Sequence, residues 1–443
     1  MTVPKVSVLL SSFNHEHYLR EAIDSILNQT FTDFELIIID DASSDGSWGV
    51  IESYSDPRIH AIRHERQLGP VLGARQAITE LARGEYIAIN HSDDAWEPEK
   101  LAMQCTLLDA DPALGAVFTW VQIIDEHGRR LANDWFCRNN QTRWEWLREL
   151  FDEKNHLAHP SLLIRKECYV RVGMYHPGLM QTPDVDMWCR LLINWPIHVV
   201  PERLTLHRIF TNQTNTSSSA RPEVRIRAAN EWNYLRRHFL RLGEVSDVFR
   251  IFPELAEKFR PSEGGNIQFL LAMACLYCCQ SPGAWLLGIE WLFDLMDDDV
   301  TRLQLASKYG FTYDELMVLS GRYDVYGYVE RTRLQGECQV QREGFEKSQA
   351  EVARFWSELQ ASQKEVARLW GEFQGSREEA VGLWRDLEVS REEVSRLRGE
   401  LDGLRQGAAR FQEEGAQLRQ RLERITRSKG YRVLKKLKVI RNV

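Results

Sequence analysis

Two apolar runs in this chain each lead into a pair of aspartates, and these are the residues best suited to do chemistry. The runs and their aspartates are Leu36–Ile39 with Asp40 and Asp41, and Tyr86–Ile89 with Asp93 and Asp94. A continuous run of branched apolar side chains is typical of a buried parallel strand. Ligands of open α/β sheets bind at the carboxyl ends of such strands. The two pairs therefore predict a site that can hold a hard divalent cation and hydrogen-bond a nucleotide.

Strand and helix patterns alternate over the first 120 residues, which positions these aspartates. The predicted strands there are Val6–Leu10, Leu36–Ile39, His60–Arg63, Tyr86–Ile89 and Val117–Ile124. The predicted helices are Tyr18–Asn28, Ser47–Tyr54, Gly73–Arg83 and Pro98–Asp109. This alternation predicts an α/β fold with a doubly wound parallel sheet. Ser161–Ile164 and His198–Val200 are predicted as two further strands.

Composition narrows the class of protein. The chain has 443 residues, is 43% hydrophobic and carries a net charge of −8, so we expect two or three domains and no nucleic-acid partner. Its eight cysteines show no disulfide pattern, which favours free thiols in a reducing cytoplasm. Three of them end the apolar stretch Ile267–Cys279, which we interpret as core packing, with a zinc site as the alternative. That stretch is too short to span a bilayer.

The last third of the chain carries heptad repeats. Four serines lie 14 residues apart, at Ser348, Ser362, Ser376 and Ser390. Heptad positions a and d keep one frame from Val352 to Ile425, which predicts a long coiled coil over residues 340–427 and hence a homo-oligomer. One continuous helix from Val352 to Ile425 would reach roughly 110 Å. A solitary charged helix is the alternative.

These patterns divide the chain into four parts. We predict an α/β domain over residues 1–220, an α-helical domain over 221–335, the coiled coil over 340–427 and a basic tail over 428–443. The tail holds six Lys or Arg residues and no acid, interleaved with apolar residues. This composition suits an anionic membrane surface, so we expect a cytoplasmic protein with peripheral contact to the inner face of the cell membrane. A solvated, frayed coil end is the alternative.

Four segments of the sheet region, in this order and spacing, resemble motifs of family-2 glycosyltransferases, which are inverting enzymes of the GT-A fold. The segments are Val6–Asn14, Ser25–Phe31, Asp40–Gly46 and Gly84–Asp94. The resemblance covers residues 5–215, about half of the chain. It implies a GT-A-like domain that transfers a sugar, with inversion, from a UDP-linked donor to a hydroxyl acceptor. The implied acceptor is a glycan or lipid-linked glycan in bacterial cell-surface polysaccharide synthesis.

The resemblance also implies which residues bind the donor nucleotide. Ser11 and Asn14 would lie in the nucleotide-contacting turn, and Phe13 would stack on the nucleobase; a core phenylalanine is the alternative. Asp41 would accept a hydrogen bond from the base. Arg75 would approach the base or the diphosphate, unless it is only a cation on a helix surface.

The second aspartate pair resembles the family's metal motif. Asp93 and Asp94 would reach the ribose and a Mg²⁺ or Mn²⁺ ion that bridges both phosphates. The family usually has Asp where this chain has His91. Asp94 alone could still anchor an ion that is held mainly by the phosphates.

A third acidic site, Pro183–Trp188, resembles a Glu-Asp motif that supplies the general base. Only Asp184 matches, because Pro183 stands in the Glu position. Asp184 would take the proton from the acceptor hydroxyl; a solvated turn containing Asp184 and Asp186 is the alternative. His156 and His159 fall where the family lines its acceptor side, and both could equally be structural.

A rival interpretation comes from another class of protein. His91, Pro183 and Phe210 all depart from the family pattern; Phe210 stands where a family loop usually carries His. These departures favour a catalytically impaired transferase domain that acts as a coiled-coil scaffold. The retained aspartates favour an enzyme. A dinucleotide-binding Gly-x-Gly-x-x-Gly motif does not follow the first strand, and a P-loop is absent.

Overall fold

The computed structural model describes residues 3–210, 221–261, 263–375 and 380–427. The chain forms two compact units, Met1–Tyr323 and Asp324–Val443. The boundary that we predict between residues 220 and 221 lies inside the first unit. The predicted basic tail, residues 428–443, lies outside the described residues. Within the described part of the chain, no helix is long and apolar enough to cross a membrane.

An eight-stranded mixed sheet organises the described part of the first unit. Its strands are β1 Val6–Ser12, β2 Phe34–Asp40, β3 Ile59–Arg63, β4 Tyr86–His91, β5 Ala95–Trp96, β6 Ala116–Ile124, β7 Leu163–Arg165 and β8 Ile197–Arg208. The order is β3-β2-β1-β4-β7-β6-β8-β5. Strands β3, β2, β1 and β4 are parallel, as predicted. Strand β7 is antiparallel to both β4 and β6, so the sheet is mixed.

Strand β8 is much longer than the predicted strand His198–Val200. It pairs with β6 in parallel as far as Arg208, with register shifts after Thr119 and Trp120. Pro201 lies at this irregularity and cannot donate to the ladder, which is why the sequence pattern ends the strand too early. The extension carries His207 and Arg208 to the edge of the sheet where β4 ends.

Helices cover both faces of the sheet. Those of the first unit are α1 Glu16–Leu27, α2 Ser47–Glu52, α3 Pro70–Gln76, α4 Lys100–Ala110, α5 Arg143–Phe151, α6 Lys166–Val172, α7 Pro183–Asn194, α8 Pro222–Leu235, α9 Val245–Ile251, α10 Pro253–Phe259, α11 Ile267–Tyr277, α12 Pro282–Asp297, α13 Asp299–Tyr309 and α14 Tyr313–Arg322. The α1 side chains Leu19, Ile23 and Ile26 are fully buried in one core with Val8 and Leu36. This continuous apolar packing holds the carboxyl ends of the strands rigidly in place.

The second unit consists of two long helices in its described residues, α15 Tyr328–Gly375 and α16 Ala380–Thr426. They pack against each other in antiparallel directions, since Arg421 lies 4.0 Å from Glu330 and the Arg405 guanidinium lies 5.1 Å from the Trp356 ring centre. Leu359, Leu397 and Leu401 form the core between them. The described residues of the heptad region therefore do not form one continuous helix. The heptads form a hairpin within one chain, because an unbroken heptad frame does not reveal a reversal of chain direction.

Candidate functional site

The first aspartate pair builds the turn after β2. Asp40 is fully buried, and its carboxylate accepts hydrogen bonds from the Ser43 amide (3.1 Å) and hydroxyl (2.5 Å). Asp41 accepts from the Leu68 amide (2.8 Å) and the Gly69 amide (2.7 Å), and its Oδ1 lies 2.8 Å from His64 Nδ1. Asp41 therefore ties the loop before α3 to the end of the sheet. A cavity of about 520 Å³, lined by Ala42, Arg63, His64 and Glu65, lies next to it.

The turns after β1 and β2 are each held in a strained conformation. Asn14 and Ala42 have left-handed φ angles of 52° and 61°, and such strain at non-glycine residues is typical of functional sites. The Asn14 side chain accepts a hydrogen bond from the Ser44 amide at 2.8 Å, so it joins the two turns. Phe13 is 39% exposed, which excludes the alternative that it is a core residue. Ser11 accepts the Ser92 amide through its carbonyl oxygen at 3.2 Å, so it lies beside the second acidic site.

The second aspartate pair lies in a group that could hold a metal ion. His91, Asp93 and Asp94 offer ligand atoms within 4.8 Å of one another. Asp94 is buried, and its Oδ1 accepts the Arg208 amide and contacts His207 Nδ1, both at 2.9 Å. Its Oδ2 lies 3.3 Å from His91 Nδ1 but has no hydrogen-bond partner of good geometry. A buried carboxylate oxygen left in this state fits coordination of a hard cation.

Electrostatics separate the two aspartates of this pair. Burial opposes ionisation of Asp94, but the neighbouring His207 and His91 hold its pKa well below the usual range. Burial and the charge of Asp94 instead raise the pKa of Asp93. Asp94 therefore carries the fixed negative charge of the site.

A chain of side chains runs from this pair into the protein. His91 Nε2 lies 3.1 Å from His159 Nδ1, His159 Nε2 lies 2.9 Å from the Tyr175 hydroxyl, and that hydroxyl lies 2.7 Å from the Tyr169 hydroxyl. Burial, reinforced by His91, lowers the pKa of His159 well below its ordinary value. Arg75 donates to the Tyr175 carbonyl oxygen at 2.7 Å, so it is not a free surface cation.

Asp184 lies in the first turn of α7 and is only partly exposed. Burial raises its pKa to about 6, against the opposing effects of the helix amides and the charge of His91. Asn155 Nδ2 donates to its Oδ2 at 3.5 Å. Asp186 is fully buried and pairs with Arg190 and with His238 Nε2, so the solvated-turn alternative is wrong for that residue.

Glu231 of α8 anchors the segment that precedes Asp184. Its buried carboxylate accepts the amides of Met180 (2.9 Å), Gln181 (2.8 Å) and Thr182 (2.8 Å), and also the Thr182 hydroxyl (3.0 Å). A carboxylate at a helix N-terminus is electrostatically favourable. Glu231 therefore fixes the start of α7, where the Glu of the family motif is replaced by Pro183.

The two acceptor-side histidines differ in environment. His156 is buried, with Nδ1 2.8 Å from Glu149 and Nε2 3.2 Å from Arg138, which indicates a structural role. His159 belongs to the chain that starts at His91. Sequence analysis did not identify His207 or Glu231 as part of the site, because each lies far along the chain from its partners and no local motif marks it. Phe210 packs against Tyr18, with ring centres 5.5 Å apart.

Comparison with known proteins finds one matching family model and several relatives. The family model described as Glycosyl transferase family 2 matches residues 7–169. The putative teichuronic acid biosynthesis glycosyltransferase TuaG of Bacillus subtilis is 37% identical over 217 residues, which are 48% of this chain and 82% of TuaG. An Escherichia coli protein, the UDP-Glc:alpha-D-GlcNAc-diphosphoundecaprenol beta-1,3-glucosyltransferase WfgD, is 38% identical over 103 residues, or 23% of this chain and 40% of WfgD.

Comparison with solved structures gives a partial alignment. S. aureus TarS 1-349 in complex with UDP-GlcNAc aligns with a TM-score of 0.46 and 19% identity, over 58% of this chain and 72% of TarS 1-349. The match of residues 7–169 to the family model and the identity and extent of the match to TuaG lead to one conclusion. The chain belongs to glycosyl transferase family 2.

Proposed function

We propose that this glycosyltransferase inverts the anomeric centre as it moves a sugar from a UDP-linked donor to a hydroxyl of a glycan or lipid-linked glycan. The observation that carries the proposal is Asp184. It is a partly buried carboxylate whose pKa is raised to about 6, and its charge acts on the same residues, His91 and Tyr175, that lead to the acidic pair. A base with a pKa near the working pH is the most effective proton acceptor.

The donor side is built from the two turns. We assign the nucleotide to Ser11, Phe13, Asn14 and Asp41 beside the 520 Å³ cavity. We assign the ribose and the metal to Asp93 and Asp94, supported by the unpartnered Asp94 Oδ2. A Mg²⁺ or Mn²⁺ ion bound there would offset the charge of the departing diphosphate. Arg75 is assigned a supporting role through the Tyr175 carbonyl oxygen.

The acceptor side depends on Asp184. Its carboxylate takes the proton of the acceptor hydroxyl while the acceptor oxygen bonds to the anomeric carbon. The bond from that carbon to the phosphate oxygen breaks on the opposite face, and the nucleoside diphosphate departs with the bonding electron pair. The names of TuaG and WfgD favour cell-surface polysaccharide synthesis and an acceptor linked to a lipid diphosphate.

A donor panel tests this proposal. Full-length protein is incubated with UDP-glucose, UDP-N-acetylglucosamine, UDP-galactose and GDP-mannose, each with Mn²⁺ and with EDTA, and the free nucleotide is measured. We expect UDP release from at least one UDP-sugar in Mn²⁺. Absence of turnover with all three UDP-sugars would contradict the proposal.

The second candidate function is a catalytically impaired scaffold. The observation that favours it is the state of Asp94, because the Arg208 amide and His207 already occupy its Oδ1 and leave one carboxylate oxygen for a metal. A scaffold of this kind is expected to bind UDP but to turn over none of the donors in the panel.

We further propose that the protein is a homo-oligomer through residues 340–427. Trp356 and Trp384 remain 40% and 50% exposed on the hairpin of α15 and α16, so apolar surface is left for a second copy. Light scattering is expected to give a mass above that of one chain, and a chain ending before residue 340 should be smaller and still bind UDP. A monomeric full-length protein would contradict this prediction.

The basic tail, residues 428–443, is proposed to bind the anionic inner face of the cell membrane. Each of its six cations is worth about 1 kcal/mol near such a surface, and an oligomer would multiply the effect. In sedimentation with vesicles, binding should require anionic lipid, weaken with salt and disappear when the tail is deleted. Full-length protein that stays in the supernatant at low salt would show that the tail does not bind membranes.

A further inference from the structure

Trp135 is a large aromatic side chain at the surface, in a turn between β6 and α5. It is 50% exposed, yet its position is fixed. The indole N–H donates to the Asn155 carbonyl oxygen at 2.8 Å, and its ring contacts the His156 ring with centres 4.4 Å apart. His156 is in turn held by Glu149 and Arg138. A single exposed aromatic residue is not unusual by itself, so its location carries the argument.

The neighbours of Trp135 place it beside the candidate base. Asn155, whose carbonyl oxygen binds the indole, also donates through its side chain to Asp184 at 3.5 Å. One residue therefore connects Trp135 directly to the carboxylate that would activate the acceptor. The half-exposed Trp135 ring and the Asp184 carboxylate are therefore both neighbours of Asn155.

The next residue places the same turn beside the acidic pair. The Phe136 ring meets the His207 ring edge-on, with centres 6.2 Å apart, and His207 contacts Asp94. Residues 135 and 136 are thus linked, through Asn155 and His207, to the candidate base and to the metal-capable group. The proposed function places the transferred sugar between Asp184 and the acidic pair, so an acceptor that reaches it approaches the neighbours of Trp135.

We propose that Trp135 is the platform on which a pyranose ring of the acceptor stacks, next to Asp184. The inference rests on the proposed function and narrows its acceptor to a sugar ring. The face of an indole carries partial negative charge and attracts polarised C–H groups, which a pyranose presents on its flat face. The ring is already immobilised, so little conformational entropy is lost on binding. The adjacent Asn155 amide could hydrogen-bond the sugar hydroxyls.

Saturation-transfer NMR with two defined probes tests the proposal. Chitotriose and cellotriose are added separately to the full-length protein with UDP and Mn²⁺, and sorbitol serves as an acyclic polyol. We expect transfer to ring C–H protons of at least one trisaccharide and none to sorbitol. Trp135→Ala should lower that transfer at least about fivefold, corresponding to about 1 kcal/mol. Trp135→Tyr should retain most of it.

Phe293→Ala is the matched control, because Phe293 is exposed to a similar extent, at 52%, but lies on α12 of the helical region. It should leave the transfer unchanged. Equal transfer in the wild type and in a folded Trp135→Ala variant, or no transfer from the wild type to either trisaccharide, would overturn the platform. UDP-sugar hydrolysis, measured on the same protein preparations in the donor panel, separates the two claims. Persistent hydrolysis without a Trp135 effect defeats the platform alone, whereas sugar binding without hydrolysis defeats the proposed function alone.

Discussion

Replacing Asp184 with Asn is expected to lower kcat by on the order of 10²–10⁴ while affinity for UDP persists. The amide keeps the shape of the carboxylate but cannot accept the acceptor proton. In the wild type, kcat/KM should fall as the pH drops through about 6, because protonation removes the base. Burial raises this pKa, and the Val185 amide, the charge of His91 and the Asn155 side chain oppose that rise. Steady-state kinetics from pH 5 to 8 and calorimetric titration with UDP measure both effects.

Asp186→Asn is the comparison variant on the same helix. Asp186 pairs with Arg190 and His238 in the interior, so this change should lower the free energy of unfolding by about 3 kcal/mol. In the folded fraction of this variant, kcat/KM should still fall as the pH drops through about 6. Unchanged turnover in Asp184→Asn would remove Asp184 from its assigned role.

Removal of divalent cations is expected to lower UDP-sugar turnover by on the order of 10² or more, with recovery in Mn²⁺ or Mg²⁺. The reason is the group formed by His91, Asp93 and Asp94, in which Asp94 Oδ2 has no hydrogen-bond partner. Asp94→Asn should reproduce the effect and weaken UDP binding in Mn²⁺. Titration of UDP in Mn²⁺ and in EDTA measures the loss.

Asp109→Asn is a suitable control. Asp109 lies on α4, away from the acidic pair, and its carboxylate pairs with Lys5 and Tyr86. It should leave the response to Mn²⁺ unchanged. Equal UDP affinity and equal turnover in EDTA and Mn²⁺ would mean that the group does not act through a metal.

Local patterns in the sequence were sufficient for the donor half of the fold. Strands β2 and β4 are marked by continuous apolar runs, and the polar residues that follow them must meet at one sheet edge. Asp41, Asp93 and Asp94 could therefore be found without a structure. The proposal of Asp184 as the base required the family resemblance, because nothing local distinguishes Asp184 from Asp186.

What the sequence did not reveal depends on pairing between distant segments. His207 reaches Asp94 from 113 residues away, on a strand whose pattern is interrupted by Pro201. The chain reversal in the coiled coil is hidden because one heptad frame is compatible with a rod and with a hairpin. Arg75 was expected near the nucleotide, but its observed partner is a backbone carbonyl 100 residues away.

The hydrogen bonds that residues 180–182 donate to Glu231 restrict how this protein can be divided or recombined. Glu231 belongs to the helical region, yet it sets where α7 begins. A chain shortened at residue 220 would keep every family motif and still lose the support of its base. Exchange of helical regions between relatives would likewise disturb the alignment of Asp184, unless the donor region brought an equivalent carboxylate. The two regions are therefore expected to be inherited, engineered and expressed as a single piece.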